Sequence, residues 1–212
     1  LIYSGLMKLD ASGELVPDLA ESVDISDDGR VYTITLRENR YFHDGTPVTA
    51  KDVAFTITLI QTPNLKSPLQ GNWDGVLVEV RGERELALTL EEAYTPCIEN
   101  LTVGILPHHL WSNLPIEQLP FSQYNTEPVG SGPYQLEAVQ LDRSGLVEAY
   151  DLIATTSADP RPNIERISIL FYNTEGAILD ALAEGTIDST PSLSPLAVQA
   201  LDDAVFTVQQ FV

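Results

Sequence analysis

The sequence predicts an α+β protein, with a mixed sheet and helices. Apolar and polar residues alternate along residues 31–37, an apolar face with helical spacing follows within 50–61, and two more strand-like stretches lie at 76–80 and 85–90. Period two is typical of a half-buried strand, whereas recurrence every three to four residues is typical of an amphipathic helix. The chain has 212 residues, 43% of them hydrophobic, so it can bury a core and is not a disordered polypeptide.

The first element that the pattern predicts clearly is a β-hairpin. Asp28-Gly29 is a turn signal, because glycine adopts positive φ without steric penalty. The strand after it carries apolar side chains at alternate positions, namely Tyr32, Ile34 and Leu36. Residues 24–29 also resemble the start of a calcium-binding loop. The twelfth position of that loop is Thr35 and not a bidentate glutamate, so we favour the turn.

A second turn at residues 44–47 leads into the best-marked helix. Thr49 is a suitable N-cap, and Asp52 places a carboxylate at the positive end of the helix dipole. The helix should end at Thr62, because a residue that precedes proline avoids the α region. Its predicted apolar face consists of Val53, Ala54, Ile57 and Ile60.

Shorter elements are predicted beyond this helix. Residues 64–75 read as a polar loop, the strands at 76–80 and 85–90 are joined by a charged turn, and helices are expected at 97–103 and directly after Pro107. Towards the C-terminus we expect a strand at 168–171, helices at 175–183 and 195–201, and a strand at 205–212. Gly130-Ser131-Gly132 lacks the residues of a phosphate-binding loop and is interpreted as a turn.

Charge and composition exclude several function classes. The formal net charge is −20, which repels nucleic acid and anionic membranes. Cys97 is the only cysteine, so an intramolecular disulfide is impossible. His43, His108 and His109 are the only histidines. Adjacent histidines do not share a helix face, so we predict neither a metal site nor a cofactor.

Residues 42–53 carry a more specific signal. They read Phe42-His43-Asp44-Gly45-Thr46-Pro47-Val48-Thr49-Ala50-Lys51-Asp52-Val53. This segment resembles the signature of the peptide/nickel/oligopeptide class, family 5, of solute-binding proteins of ABC transporters. Four more segments resemble the family in the expected order, at residues 3–6, 17–22, 130–134 and 182–188. The sequence departs from the family at residues 150–162, where an Asn-Pro-x-Tyr-Trp run is usual.

The resemblance implies a periplasmic-binding-protein-like fold. It divides the chain into the start of a main lobe (1–25), a small accessory lobe (26–127) and a return to the main lobe (128–212). A second ligand lobe would be absent, and both ends of the chain look cut. The expected function is to bind peptides or a similar small solute outside the membrane and deliver them to an ABC permease. The protein would be periplasmic or extracellular, with a possible lipoprotein anchor, and exposed edge strands could drive dimerisation.

The resemblance also suggests ligand contacts. Leu69 and Trp73 lie in the loop after the signature helix, which faces the ligand cleft in family members. Trp73 would offer a flat apolar wall with one N–H donor; packing into the lobe core is an equal alternative. No catalytic residue is predicted. Nickel or metal-chelate binding and oligosaccharide binding remain alternatives within the family, and a hydrolase is a more distant one.

Overall fold

The computed structural model describes residues 1–93, 97–156, 160–199, 201 and 207. Apart from Thr207, the predicted terminal strand at 205–212 therefore lies outside the described residues. The chain forms two compact units. The first contains residues 1–139 and 150–168, and the second contains 140–149 and 169–212. The predicted division at residues 25/26 and 127/128 stays a prediction.

Antiparallel strands dominate the first unit. A two-stranded sheet pairs β1 (Met7–Leu9) with β2 (Leu15–Pro17). A four-stranded sheet has the order β3-β4-β6-β5, formed by β3 (Ala20–Ile25), β4 (Val31–Leu36), β5 (Leu77–Val80) and β6 (Glu85–Thr89). The predicted α+β class and the predicted hairpin are thereby confirmed.

The two central strands differ in how their faces are covered. In β4 the alternate residues Tyr32, Ile34 and Leu36 are buried, as the pattern predicts. In β6, Ala87 is buried as fully as its neighbours Leu86 and Leu88. Strand β6 is thus covered on both faces at Ala87, whereas the intervening residues of β4 are only half-buried.

Helix α1 (Ala50–Gln61) packs on this sheet, and its predicted bounds are correct. Asp52 Oδ2 accepts hydrogen bonds from the backbone N–H of Thr49 (2.8 Å) and from its hydroxyl (2.7 Å). The helix ends where expected, at Thr62 before the proline. Its predicted apolar face is buried except for Ala54, which is half-buried.

Several short elements differ from the prediction in type or length. The predicted loop at 64–75 contains the one-turn helix α2 (Gln70–Trp73). The predicted helix at 97–103 is reduced to α3 (Cys97–Asn100), and the amides of residues 101–103 donate to carbonyls three positions earlier. Helix α4 (His108–Trp111) begins after Pro107 as predicted. Short 3-10 turns lie at Pro63–Leu65, directly after α1, and at Ile116–Phe121 and Gln123–Asn125, after α4.

The remaining sheet is three-stranded, in the order β7-β8-β9. Its strands are β7 (Tyr134–Leu141), β8 (Val147–Ala154) and β9 (Arg166–Leu170). The second unit holds α5 (Glu175–Ala183), as predicted, and α6 (Pro195–Val198), which is shorter than predicted. Gly185 follows α5 at φ 71°, the conformation of a C-terminal glycine cap.

The Gly130-Ser131-Gly132 turn closes tightly on the N-terminal residues. Gly132 N–H donates to the Ile2 carbonyl (2.7 Å). A Cβ atom at Gly130 would lie 2.0 Å from the Ile2 oxygen, so no larger residue fits there without a backbone shift. The segment therefore packs closely against the N-terminal residues, where the sequence analysis places a turn and not a phosphate-binding loop.

His43 of the signature segment clamps this turn. Its backbone N–H donates to the Gly130 carbonyl (2.8 Å), Gly130 N–H approaches Nδ1 (3.3 Å), and Nε2 lies 3.0 Å from the Gly132 carbonyl. Nδ1 must accept and Nε2 must donate, which is the pattern of one neutral tautomer. Burial lowers the pKa of His43, and so favours the neutral form that this clamp requires.

Candidate functional site

A cavity of about 510 Å³ in the first unit is the best candidate site. Its size falls in the range of about 300–1,000 Å³ that is common for small-molecule sites. It is lined by four aromatic residues, seven other apolar residues and two small polar ones. These are Tyr3, Trp111, Tyr124 and Tyr150; Leu59, Ile60, Leu65, Leu106, Leu119, Pro120 and Pro128; and Ser67 and Asn125. No charged side chain is among these described lining residues.

Two smaller cavities differ in chemistry. One of about 340 Å³ lies beside Asp74, Glu91 and Glu92, and one of about 90 Å³ lies beside Lys8, Asp18 and Arg40. Organic ligands favour predominantly apolar sites with a few polar groups. The uncharged cavity meets that description better than either of the charged ones.

Aromatic rings form much of the cavity wall. Trp111 and Tyr124 are in contact, with ring centroids 5.6 Å apart and planes inclined at 54°. Trp111 is only 6% exposed, so its ring is largely enclosed by neighbouring residues. Burial raises the pKa of Tyr3, and its phenol therefore stays protonated and able to donate a hydrogen bond. Such a wall offers flat apolar area with polar groups at its rim.

Helix α1 positions one side of the cavity. Leu59 and Ile60 in its last turn contribute to the wall directly. Earlier in the helix, Asp52 Oδ1 accepts from His108 N–H (2.8 Å) and Thr56 Oγ1 accepts from Leu106 N–H (2.9 Å). Both side chains are buried, and the Thr56 hydroxyl donates to the Asp52 carbonyl (2.8 Å). The signature helix thus fixes the segment that carries Leu106 and Trp111.

A second contact fixes the same segment from outside. His109 Nε2 lies 2.6 Å from Asp44 Oδ2, in the turn before α1. Burial opposes ionisation of Asp44, but hydrogen bonds from His109 and Thr46 outweigh it and hold the pKa of Asp44 below its usual value. His108 instead packs edge-on against Phe55, with ring centroids 5.2 Å apart. The adjacent histidines therefore act on different neighbours.

The three histidines of the chain have separate contacts in this arrangement. His43 engages the glycine turn through both ring nitrogens, and His108 and His109 have separate contacts. Within residues 1–93, 97–156, 160–199, 201 and 207, no group of three or more His, Cys, Asp or Glu side chains could hold a metal ion. Cys97 is buried, and burial raises the pKa of its thiol, which disfavours the nucleophilic thiolate.

Glycine allows the N-terminal segment to reach the cavity. Tyr3 lies directly against Gly104, where an added Cβ would be 2.7 Å from the Tyr3 Cβ. Ile105 N–H donates to the Ser4 carbonyl (2.9 Å). Residues roughly 100 positions apart in the sequence thus line one wall, an arrangement that no local pattern could have indicated.

The two residues suggested by the sequence lie in different surroundings. Trp73 is 1% exposed and belongs to the hydrophobic core, the alternative that the sequence left open. Gln61 Nε2 donates to the carbonyls of Trp73 and Val76 (both 2.7 Å), which holds α2 against the end of α1. Leu69 is 38% exposed and precedes α2. Neither residue is among those that line the cavity, and their role as ligand contacts stays a prediction.

None of the residues that line the cavity was predicted from the sequence. The sequence did not suggest ligand contacts at the four aromatic residues of the wall, which are Tyr3, Trp111, Tyr124 and Tyr150. The available signal was the density of aromatic and proline residues between 107 and 128. Among the described residues, no helix is long and apolar enough to cross a membrane.

Comparison with known proteins identifies the same family that the sequence motifs resemble. The family model described as "Bacterial extracellular solute-binding proteins, family 5 Middle" matches residues 14–209. A putative ABC transporter peptide-binding protein from Brucella ovis is 28% identical over 184 residues, which are 83% of this chain and 33% of the relative. The chain thus spans about a third of the length of that relative.

Solved structures similar to this chain include NikZ and AppA. NikZ from Campylobacter jejuni, in complex with Ni(L-His), has a TM-score of 0.79 and 32% identity, over 89% of this chain and 37% of NikZ. The oligopeptide-binding protein AppA from Bacillus subtilis, in complex with a nonapeptide, has a TM-score of 0.76 and 26% identity, over 88% of this chain and 37% of AppA. The described fold therefore corresponds to part of each of these proteins.

Proposed function

We propose, from the premise that this chain belongs to the family 5 bacterial extracellular solute-binding proteins, that it forms part of the substrate-binding component of an ABC importer. The component binds a peptide or a similar small solute outside the membrane and delivers it to the permease. The uncharged, aromatic-walled cavity on the family's fold is the observation that carries this proposal. The role is one of binding and not of catalysis.

Peptide is the favoured solute class for two reasons. The relative from Brucella ovis is described as peptide-binding, and AppA was solved with a nonapeptide. NikZ, which holds a nickel–histidine chelate, keeps metal-chelate binding as the second candidate. All three histidines of this chain have their described contacts away from the cavity lining, so a chelate would have to be recognised without them.

The cavity supplies one wall of a ligand site. In a protein as long as its relatives, further residues would supply the opposite wall, and closure would bury the solute. Because affinity depends on both walls, we expect residues 1–212 alone to bind solute only weakly. The same proposal includes docking to the permease, anchoring through a lipoprotein modification, and dimerisation through exposed sheet edges. Oligosaccharide binding and hydrolysis are the remaining alternatives.

Native mass spectrometry of the full-length protein, purified without refolding, tests this function. A ladder of retained masses that match short peptides would support the proposal and identify the ligand class. One discrete mass of a chelate or sugar would favour a dedicated ligand. A protein without any retained mass that also fails to bind a peptide library would contradict the importer role.

A further inference from the structure

We propose that the cavity selects solutes that carry a bulky, uncharged, apolar group, namely peptides with a large aliphatic or aromatic side chain. This inference rests on the proposed function and adds the chemical class of the group that is accepted. It starts from the cavity lining, in which none of the described residues is charged. One residue in five of the whole chain is charged (20%), so this surface differs sharply in composition from the rest of the protein.

A charged ligand group would be poorly stabilised at this wall. An ion that enters an apolar site loses hydration and needs a counter-ion or several hydrogen bonds in return. Here the polar side chains are three phenols, an indole, the Asn125 amide and the Ser67 hydroxyl. Both amide hydrogens of Asn125 are already directed to the carbonyls of Leu119 (2.8 Å) and Ser122 (3.1 Å). The net charge of −20 disfavours acidic groups further.

An apolar group would find well-ordered partners. Leu65, Leu106 and Leu119 provide aliphatic surface, and the Trp111–Tyr124 pair provides rings in a fixed tilted arrangement. Leu106 and Trp111 belong to the segment that Asp52 and Thr56 hold through backbone amides. Because contacts within the protein hold this wall in place, little conformational entropy should be lost on binding, and most of the burial energy should appear as affinity.

The expected preference follows from the size of the buried group. Replacing alanine in a peptide by leucine or phenylalanine, at the position that enters the cavity, should tighten binding about tenfold to a hundredfold. Aspartate or lysine at the same position should bind no better than alanine. The cavity should therefore distinguish peptides by one side chain, while the peptide backbone contacts remain similar.

Isothermal titration of the full-length protein with tetra-alanine peptides is the test. One residue at a time is replaced by leucine, phenylalanine, aspartate or lysine, at each of the four positions in turn. We expect one position at which leucine or phenylalanine gives the predicted gain. Leu65 is half-buried and lines the cavity, so Leu65→Lys should abolish this gain and make the aspartate peptide the better ligand.

Leu77→Lys is the matched control, because Leu77 is exposed on strand β5 and is not among the residues that line the cavity. It should keep the apolar preference. Similar affinities for the leucine, alanine and aspartate peptides, or the same preference in both lysine variants, would overturn this inference and leave the proposed function intact. A folded protein that binds none of the peptides would overturn both.

Discussion

Replacing Asp52 by alanine should loosen the cavity wall from a distance. The carboxylate is buried and accepts three hydrogen bonds, from the Thr49 amide, the Thr49 hydroxyl and the His108 amide, at 2.7–2.8 Å. A hydrogen bond to a charged acceptor contributes about 1.5–3 kcal/mol. The hydroxyl can turn to another partner, but two half-buried N–H groups lose theirs. We therefore expect a loss of about 2–4 kcal/mol in the free energy of unfolding.

The local effect can be measured separately from the global one. Hydrogen exchange of individual amides in the full-length protein should show that His108 N–H exchanges much faster in Asp52→Ala. The Asp52→Asn variant keeps one acceptor oxygen and should lose about half as much stability. Asp27→Ala is the control, because Asp27 is an exposed carboxylate of the hairpin turn; it should change stability by less than about 0.5 kcal/mol.

The same variant should affect ligand affinity. His108 opens the short helix that ends at Trp111, so loss of its anchor should let the indole shift from the cavity wall. Suppose instead that Asp52→Ala unfolds at the same urea concentration as Asp27→Ala and that the His108 amide stays protected. The idea that the signature aspartate positions the cavity would then be refuted.

Three further predictions concern the glycine turn and two titrating groups. Gly130→Ala should be strongly destabilised in urea unfolding because its Cβ would meet the Ile2 carbonyl at 2.0 Å, whereas Gly71→Ala, with nothing within 4 Å, should be nearly neutral. The pKa of His43 in an NMR titration should lie below that of an exposed histidine, because burial lowers it. Stability that depends on neutral His43 should then be complete above a pH of about 6.5 and decline as pH falls from there through the lower folded pKa. The pKa of Asp142 in a carboxyl NMR titration should lie below its usual value, because Ser144 and backbone amides donate to it.

Each of these predictions has a clear contrary result. Equal urea midpoints for the two alanine variants would show that the turn can move away from the N-terminal segment. A His43 pKa at or above the ordinary value would mean that the imidazolium is tolerated and that the clamp is not needed. An ordinary pKa for Asp142 would mean that the hydrogen-bonded turn is not maintained in solution.

Local patterns predicted much of the fold correctly. The hairpin strand, the bounds of α1 and the stop before Pro63 all follow from interactions among residues a few positions apart. Two turns with the pattern Asp-x-Ser-Gly show the same kind of local interaction in the structure. Asp10 and Asp142 each accept from the N–H and the hydroxyl of the serine two positions on. Both turns then place a glycine at positive φ, 84° and 86°. Such elements form from their own sequence, because their partners are always close at hand.

The sequence by itself determined the α+β class, the family and the elements that close within one or two turns. The tertiary structure alone decided that Trp73 belongs to the core while Trp111 lines the cavity, although both are tryptophans near a short helix. It also decided that Asp52 reaches beyond its own helix to His108. The contact between Asp52 and His108 joins residues 56 positions apart. Local propensity cannot specify such contacts, because they exist only after the sheet and helix have packed together.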